Sequence, residues 1–321
     1  MEALAALVVG CGEVGSGYDE LRPDGHPLSH AGAYAAHERT RLVGGVDTDA
    51  DARLRFEQRW KVPAYSDLGQ ALAETRPAIV SACTHADVRP AIVMQVIESG
   101  VRAIWAEKPL AATSALAEKL VALCDWAGVP LQVNFLRRFD ELHRRAATIV
   151  GMRFRADFRF SGSFSNYGAH AFDLFRWYAG GVSAARPGPD GDDEPLVLLE
   201  SPGGASASFW RIRSGDIDMF ECDFYTDHGR FTLGGLGARF VSWPPESDDV
   251  FAGVRVLGRP AVDGERGLER AMLGGVASIA GSIGSGEPLL CDGRDGVAAL
   301  RVEEAAREAS RSGKRVPIMI P

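Results

Sequence analysis

Three short stretches carry side chains or backbone suited to chemistry. In the first, Val8-Val9-Gly10-Cys11-Gly12-Glu13-Val14-Gly15, a glycine turn follows an apolar run. Such glycines supply a tight turn, close backbone approach to a pyrophosphate and a helix contact. The stretch therefore predicts a dinucleotide held by Gly10, Gly12, Glu13, Val14 and Gly15. A second apolar run, 41–46, ends at Asp47, whose carboxylate is placed to accept hydrogen bonds from an adenosine ribose and to repel a 2′-phosphate. NAD is favoured over NADP, with Arg53 nearby keeping NADP open. The second stretch, Trp105-Ala106-Glu107-Lys108-Pro109, directly follows the apolar run 103–105. Ligands of open α/β sheets bind beyond the carboxyl ends of the strands, so Lys108 is expected where a nicotinamide lies. Pro109 restricts it to an extended or cis-linked geometry; on spacing alone, a solvated surface lysine is the plainer alternative. The third is Asn166-Tyr-Gly-Ala-His170-Ala-Phe-Asp173. If a helix starts near Gly168, His170 and Asp173 are neighbours at i, i+3, and Asn166 lies a turn earlier or caps the start. His170 then faces a cleft with Asp173 orienting its ring, while Phe172, Phe175 and Tyr178 pack on a sheet. Taken alone, such a histidine is more often structural.

Residues 1 to about 128 have the rhythm of a parallel sheet with crossover helices. Strands are expected at 4–9, 42–47, 78–82, 103–105 and 129–133, and helices at 29–37, 50–60, 68–74, 89–99 and 115–127. From about Arg153 short alternating runs take over, at 154–160, 196–199, 205–210, 220–225 and 230–233, which implies an antiparallel sheet open on one face. The fold class is therefore α/β, a Rossmann domain over 1–130, followed by an α+β domain with a largely antiparallel open sheet over 131–321. The stretch 185–194, rich in Pro, Gly and Asp, is expected as an exposed loop. Helices near 267–281 and 296–312 and a short strand at 316–320 close the chain. Between Gly15 and the helix at 29–37 lies an excursion, 16–28, longer than the usual passage from glycine loop to helix. It is placed to cover a substrate or to be a surface insertion. His26 and His30 lie in or next to it, with no partner evident in the sequence.

The 321 residues suffice for two domains, and 46% hydrophobic with 24% charged residues is ordinary for a globular protein. No run reads as a membrane span or signal peptide, so a cytoplasmic setting is expected. The net charge of −8 is spread along the chain, which argues against nucleic acid as a partner. Five scattered cysteines argue against a zinc site and a disulfide framework, and no metal is expected. Cys11, inside the glycine loop, is read as a small neutral filler.

These features in this order resemble the Gfo/Idh/MocA family of nicotinamide-dependent oxidoreductases. The resemblance also takes in Asn134-Phe-Leu-Arg-Arg-Phe-Asp140 and the closing segment that starts at Asp292-Gly-Arg-Asp-Gly. It implies Lys108 as catalytic lysine, His170 as the residue exchanging a proton with substrate, and an oligomer, a homodimer or homotetramer, built on the second sheet. Many dehydrogenases of the family carry Asp four residues before the histidine, where this chain has Asn166. An amide orients a hydroxyl but forms no carboxylate pair with Lys108 or His170. The implied reaction is hydride transfer between nicotinamide and a secondary alcohol or ketone of a small-molecule sugar or cyclitol, with Asn166 placing the oxygen. Glu107 is expected at the cofactor, and Asn134, Arg138, Asp173 and Tyr18 at the substrate. Arg137 and Arg138 suit a substrate carboxylate or phosphate, or an interdomain salt bridge. Tyr18, Trp105 and Tyr167 are candidates to stack on a ring or to pack, with packing favoured for Trp105. The competing readings are an NADPH-dependent ketosugar reductase of a deoxysugar or aminocyclitol route, and a non-catalytic dinucleotide-binding regulator.

Overall fold

The structure, a computed structural model, describes residues 3–20, 25–188, 196–212 and 216–319. The chain forms two compact units, residues 1–140 with 269–297 and residues 141–268 with 298–321. The first unit thus takes in 131–140 and 269–297 as well as 1–130.

In the first unit β1 (Leu4–Val9), α1 (His30–Ala36), β2 (Thr40–Val46), α2 (Ala50–Trp60), β3 (Ala64–Tyr65), α3 (Leu68–Thr75), β4 (Ile79–Ala82), α4 (Arg89–Glu98), β5 (Ala103–Ala106), α5 (Ser114–Ala127) and β6 (Leu131–Val133) alternate. All six strands run parallel, in the order β3-β2-β1-β4-β5-β6. A parallel sheet covered on both faces needs continuously apolar strands, and β1, β4 and β5 are apolar or small throughout and almost wholly buried. Helix starts follow from local capping. The side chains of Ser29, Asp49, Asp67 and Thr113 each accept an amide hydrogen bond from the first turn of α1, α2, α3 and α5. The chain order reverses between β1 and β4, so the carboxyl ends of these strands open a crevice at one sheet edge.

The second unit begins with α6 (Glu141–Val150) and β7 (Arg155–Phe160). A π-helical turn at Phe164–Gly168 leads into α7 (Ala169–Tyr178), and β8 (Ala184–Pro187), β9 (Leu196–Glu200), β10 (Ser206–Arg211), β11 (Phe220–Thr226), β12 (Gly229–Gly234), β13 (Arg239–Trp243), β14 (Pro245–Ser247), β15 (Arg255–Leu257) and β16 (Ala261–Gly264) follow. α8 (Ala271–Ser285) returns to the first unit, α9 (Gly293–Ser312) spans the boundary at 297/298, and β17 (Val316–Pro317) is the last element among the described residues. Nine strands form one sheet, β16-β13-β12-β11-β7-β10-β9-β8-β17, antiparallel except for the parallel pair β7 and β10. The expected loop at 185–194 is corrected here. Ala184–Pro187 is a strand, paired with β9 on one side and β17 on the other, and the buried Ala184 and Ala185 hold it to the core. Residues 189–194 of that expectation lie outside the described residues.

Alternation along these strands turns one face inward. There Phe158 stacks on Phe209 at 4.7 Å, and Phe172 and Phe175 of α7 close on the same Phe209 ring at 5.1 and 5.8 Å. Tyr178, expected on that face, stacks on Phe224 at 5.5 Å. Because Phe209 is fully buried among three rings, Phe209→Ala is expected to destabilise this unit by about 3–5 kcal/mol. Urea unfolding followed by circular dichroism checks this; a loss below about 1 kcal/mol would mean the cavity collapses freely.

Candidate active site

Five sequence-expected positions fall at the carboxyl edge of the parallel sheet. These are Gly10 after β1, Asp47 after β2, Glu107 and Lys108 after β5, and Asn134 after β6. Gly10 has φ +96° and donates its N–H to the Val46 carbonyl at 2.8 Å, and a Cβ there would stand 2.8 Å from the Cys83 carbonyl oxygen. A Cβ on Gly15 would collide with the Gly10 carbonyl. Both positions therefore demand glycine. Gly12 and Glu13 are exposed, Val14 is half-buried, and a Cβ on Gly12 meets nothing within 4 Å. Asp47 closes the turn from the other side, its Oδ2 accepting the Cys11 N–H at 2.8 Å and its Oδ1 the Asp49 N–H at 3.0 Å. Arg53 donates to the Asp47 and Thr48 carbonyls, which keeps a guanidinium beside Asp47. Cys11 is buried and points its thiol at the Val46 carbonyl. Burial, then the charge of Asp47, pushes that thiol up to about 12, so it is inert at neutral pH.

Lys108 is held through its backbone from two directions. Its N–H donates to Glu107 Oε2 at 3.2 Å, and the buried Arg89 guanidinium donates to the Pro109 and Thr84 carbonyls. The Lys108–Pro109 peptide is cis. Glu107 is 7% exposed, and its other oxygen takes hydrogen bonds from Asn134 Nδ2 at 2.5 Å and His30 Nε2 at 3.0 Å. Burial by itself would raise the Glu107 carboxyl. The contact with His30, the Asn134 amide and the Lys108 charge outweigh it and hold the group below the ordinary carboxylate range.

His30 was not identifiable as a site residue from the sequence, because its partners Ser81, Glu107 and Asn134 stand 51, 77 and 104 positions away. The only local hint was its place at the start of a capped helix. Trp105 packs in the core, fully buried, with its ring 4.2 Å from His30 and 5.9 Å from Phe139. Thr84 was missed as well. It packs beside Gly10, and its Oγ1 is buried without a hydrogen-bond partner among the described residues.

The excursion after Gly15 leaves and returns at one point, since His30 and Ala31 donate their N–H groups to the Val14 and Gly15 carbonyls at 3.1 and 3.0 Å. It is pinned by buried Asp19, whose carboxylate accepts the Leu28 N–H at 2.6 Å, the Ser29 N–H at 3.3 Å and the Ser29 hydroxyl. Tyr18 beside it is 44% exposed, and burial, then the negative charges of Glu13 and Glu107, pushes its phenol up. Residues 21–24 lie outside the described ones. Of the other expected substrate contacts in this unit, Asn134 is buried against Glu107, and Arg138 is buried and pairs with Asp295 at 3.3 Å. Arg137 is buried as well.

In the second unit Asn166 is exposed within the π-helical turn, and Gly168, rather than Asn166, stands at the start of α7, with no side-chain cap. His170 is half-buried in the first turn of α7. Asp173 is buried and pairs with Arg176 at 3.6 Å. Tyr167 lies 6.3 Å from Phe220. No group of three or more His, Cys, Asp or Glu suited to a metal exists among the described residues, and no helix there is long and apolar enough to cross a membrane.

The glycine loop fits a dinucleotide. Its close backbone approaches are enforced at Gly10 and Gly15, the space over Gly12 is open, and an unsatisfied hydroxyl lies beside Gly10. A family model described as an oxidoreductase family with an NAD-binding Rossmann fold matches residues 4–135. The match to this Gfo/Idh/MocA family of oxidoreductases takes in all six parallel strands of the first unit. A myo-inositol dehydrogenase of Streptomyces leeuwenhoekii is 29% identical over 299 residues, which cover 87% of this chain and 80% of the relative. The WlbA dehydrogenase of Bordetella pertussis, solved with NADH and UDP-GlcNAcA, shares the fold at TM-score 0.75, with 20% identity over 100% of both chains. An NAD-binding oxidoreductase of Klebsiella pneumoniae does so at TM-score 0.80, with 16% identity over 99% of both.

The loop geometry sets an expectation for two glycine variants. Gly12→Ala should leave the melting temperature unchanged and weaken NADH binding by about tenfold, because the methyl enters space the ligand needs. Gly15→Ala should lower the melting temperature through its clash with Gly10. Thermal scans and NADH fluorescence titrations read both, and wild-type NADH affinity in Gly12→Ala would count against the loop as the pyrophosphate cradle.

Proposed function

We propose that this oxidoreductase transfers a hydride between NAD and a secondary alcohol or ketone of a sugar, sugar derivative or cyclitol. The observation that carries the reading is Lys108, fixed by Glu107 and Arg89 at the same sheet edge as the glycine loop and Asp47. The relatives lend the substrate class its support, since one is a myo-inositol dehydrogenase and another was solved with a nucleotide-linked sugar. The nicotinamide supplies the hydride chemistry when bound. The Lys108 ammonium stabilises negative charge growing on the substrate oxygen as an alcohol is oxidised. The family resemblance assigns acceptance of the hydroxyl proton to His170 and placement of the oxygen to Asn166, both on the second unit. For substrate contact, Tyr18, half-exposed just after the glycine loop, is proposed together with Asn134, Arg138 and Asp173. A homodimer or homotetramer in a cytoplasmic setting belongs to the same proposal, and light scattering that found a monomer at micromolar concentration would remove the oligomer from it.

Asp47 makes NAD the preferred nucleotide, while the guanidinium of Arg53 beside it is what favours the second reading, a ketosugar reductase using NADPH. Separate fluorescence titrations with NADH and NADPH decide between them. Tighter NADH binding supports the first reading, NADPH preference moves the assignment to ketosugar reduction, and binding of neither rejects the dehydrogenase. Lys108→Ala is expected to cost about 2.7–4 kcal/mol of transition-state stabilisation, a loss of about 10²–10³ in kcat with NADH affinity kept. Steady-state kinetics on a sugar and cyclitol panel checks it, and unchanged kcat would remove Lys108 from the chemistry.

A further inference from the structure

We propose that His30 is a positioning residue for Lys108, acting as the Nε2–H tautomer through the Glu107 carboxylate. The inference rests on the reading of Lys108 given above and adds to it a residue that touches neither substrate nor nucleotide. Glu107 Oε1 receives His30 Nε2 at 3.0 Å and Asn134 Nδ2 at 2.5 Å, while Oε2 receives the Lys108 N–H at 3.2 Å. An ionised carboxylate only accepts, so the hydrogen between His30 and Glu107 belongs to His30. On its other side His30 Nδ1 lies 2.8 Å from Ser81 Oγ, which lies 2.8 Å from the Tyr34 hydroxyl. With neutral His30 the chain runs one way: Tyr34 donates to Ser81, Ser81 donates to Nδ1, and Nε2–H donates to Glu107. Every hydrogen is then used. An imidazolium would donate to Ser81 as well, and the hydroxyl hydrogen of either Ser81 or Tyr34 would then have to find another acceptor in a site with no solvent exposure. The Trp105 ring, 4.2 Å from the imidazole, holds its plane.

The network gives Lys108 a fixed anchor that a sheet edge alone lacks. Without the His30 hydrogen, Glu107 is a buried carboxylate short of a donor and takes up a proton at higher pH. The Lys108 N–H then loses an anionic acceptor, and the ammonium loses the negative charge beside it. The other charged or titratable groups facing the pair are Lys108 itself, Arg89 from α4, Cys83 after β4, Tyr18 from the turn after the glycine loop and Tyr34 from α1. In the wild type the hydrogens of His30 and Asn134 and the nearby Lys108 charge all favour the Glu107 anion, so the anchor is intact at neutral pH.

Two measurements test this without cofactor, substrate or turnover. Long-range nitrogen–proton NMR on the intact wild-type protein reports the His30 tautomer; the proposal requires Nε2–H, and an Nδ1–H tautomer overturns it. Reductive methylation at about pH 6, mapped by mass spectrometry, compares Lys108 with exposed Lys119 in the wild type, His30→Leu and His30→Gln. His30→Leu should raise the relative rate at Lys108 by about threefold or more, as a larger fraction of the amine is neutral. His30→Gln, which keeps a donor toward Glu107, should restore the wild-type ratio. An unchanged ratio in folded His30→Leu overturns the proposal. If the wild type turned over no polyol, the reading of Lys108 would fall while these two results still judged the positioning of its backbone.

Discussion

A carboxylate withdrawn from water has to be answered by hydrogen-bond donors, and Glu107 is answered from three separate segments. His30 arrives from the start of α1, Asn134 from the end of β6, and the Lys108 amide from the chain itself. Each donor is worth more in this buried site than at the surface, because an unmet charge there costs several kcal/mol. The parallel sheet makes the convergence possible by bringing the carboxyl ends of its strands to one edge, so His30 and Asn134, 104 positions apart, share one oxygen. Arg89 completes the hold by tying Pro109 and Thr84, so the segment carrying Lys108 is fixed on both sides of its side chain.

The glycine loop works under an opposite constraint, in which backbone must approach backbone with nothing between. Gly10 lies against the Cys83 carbonyl and Gly15 against Gly10, which leaves the exposed rim at Gly12 and Glu13 for a ligand. The excursion that follows would disturb an ordinary strand-to-helix passage, yet Val14 and Gly15 still accept the N–H groups of His30 and Ala31. Asp19 holds the two ends together and so keeps α1, with His30 at its first position, in register with Glu107. Order in the loop and order at the lysine are thereby linked through one helix.

The parts legible in the sequence were those written locally. The glycine spacing, the acidic end of β2 and the lysine after β5 depend on neighbours within a few residues. The alternation of 154–160 and 205–210 showed two strands but not that they run parallel, because a period of two is the same in either direction. β8 was hidden for a related reason. Its Pro187 and the turn-rich residues after it read as loop, and only pairing with β9 and with β17, some 130 positions later, makes 184–187 a strand. His30 and Arg138 were opaque in the same way, since each is explained by a carboxylate distant in the chain and near in space.

The central claim, hydride exchange between NAD and a polyol carbon, is most directly tested by isotope transfer. The protein is incubated with NAD and a panel of carbon-deuterated sugars and cyclitols, and the recovered nicotinamide is weighed by mass spectrometry. The account predicts deuterium on the nicotinamide from at least one panel member with the wild type, and loss of that transfer in Lys108→Ala. Recovery of bound but unlabelled nucleotide from the wild type across the whole panel would contradict it.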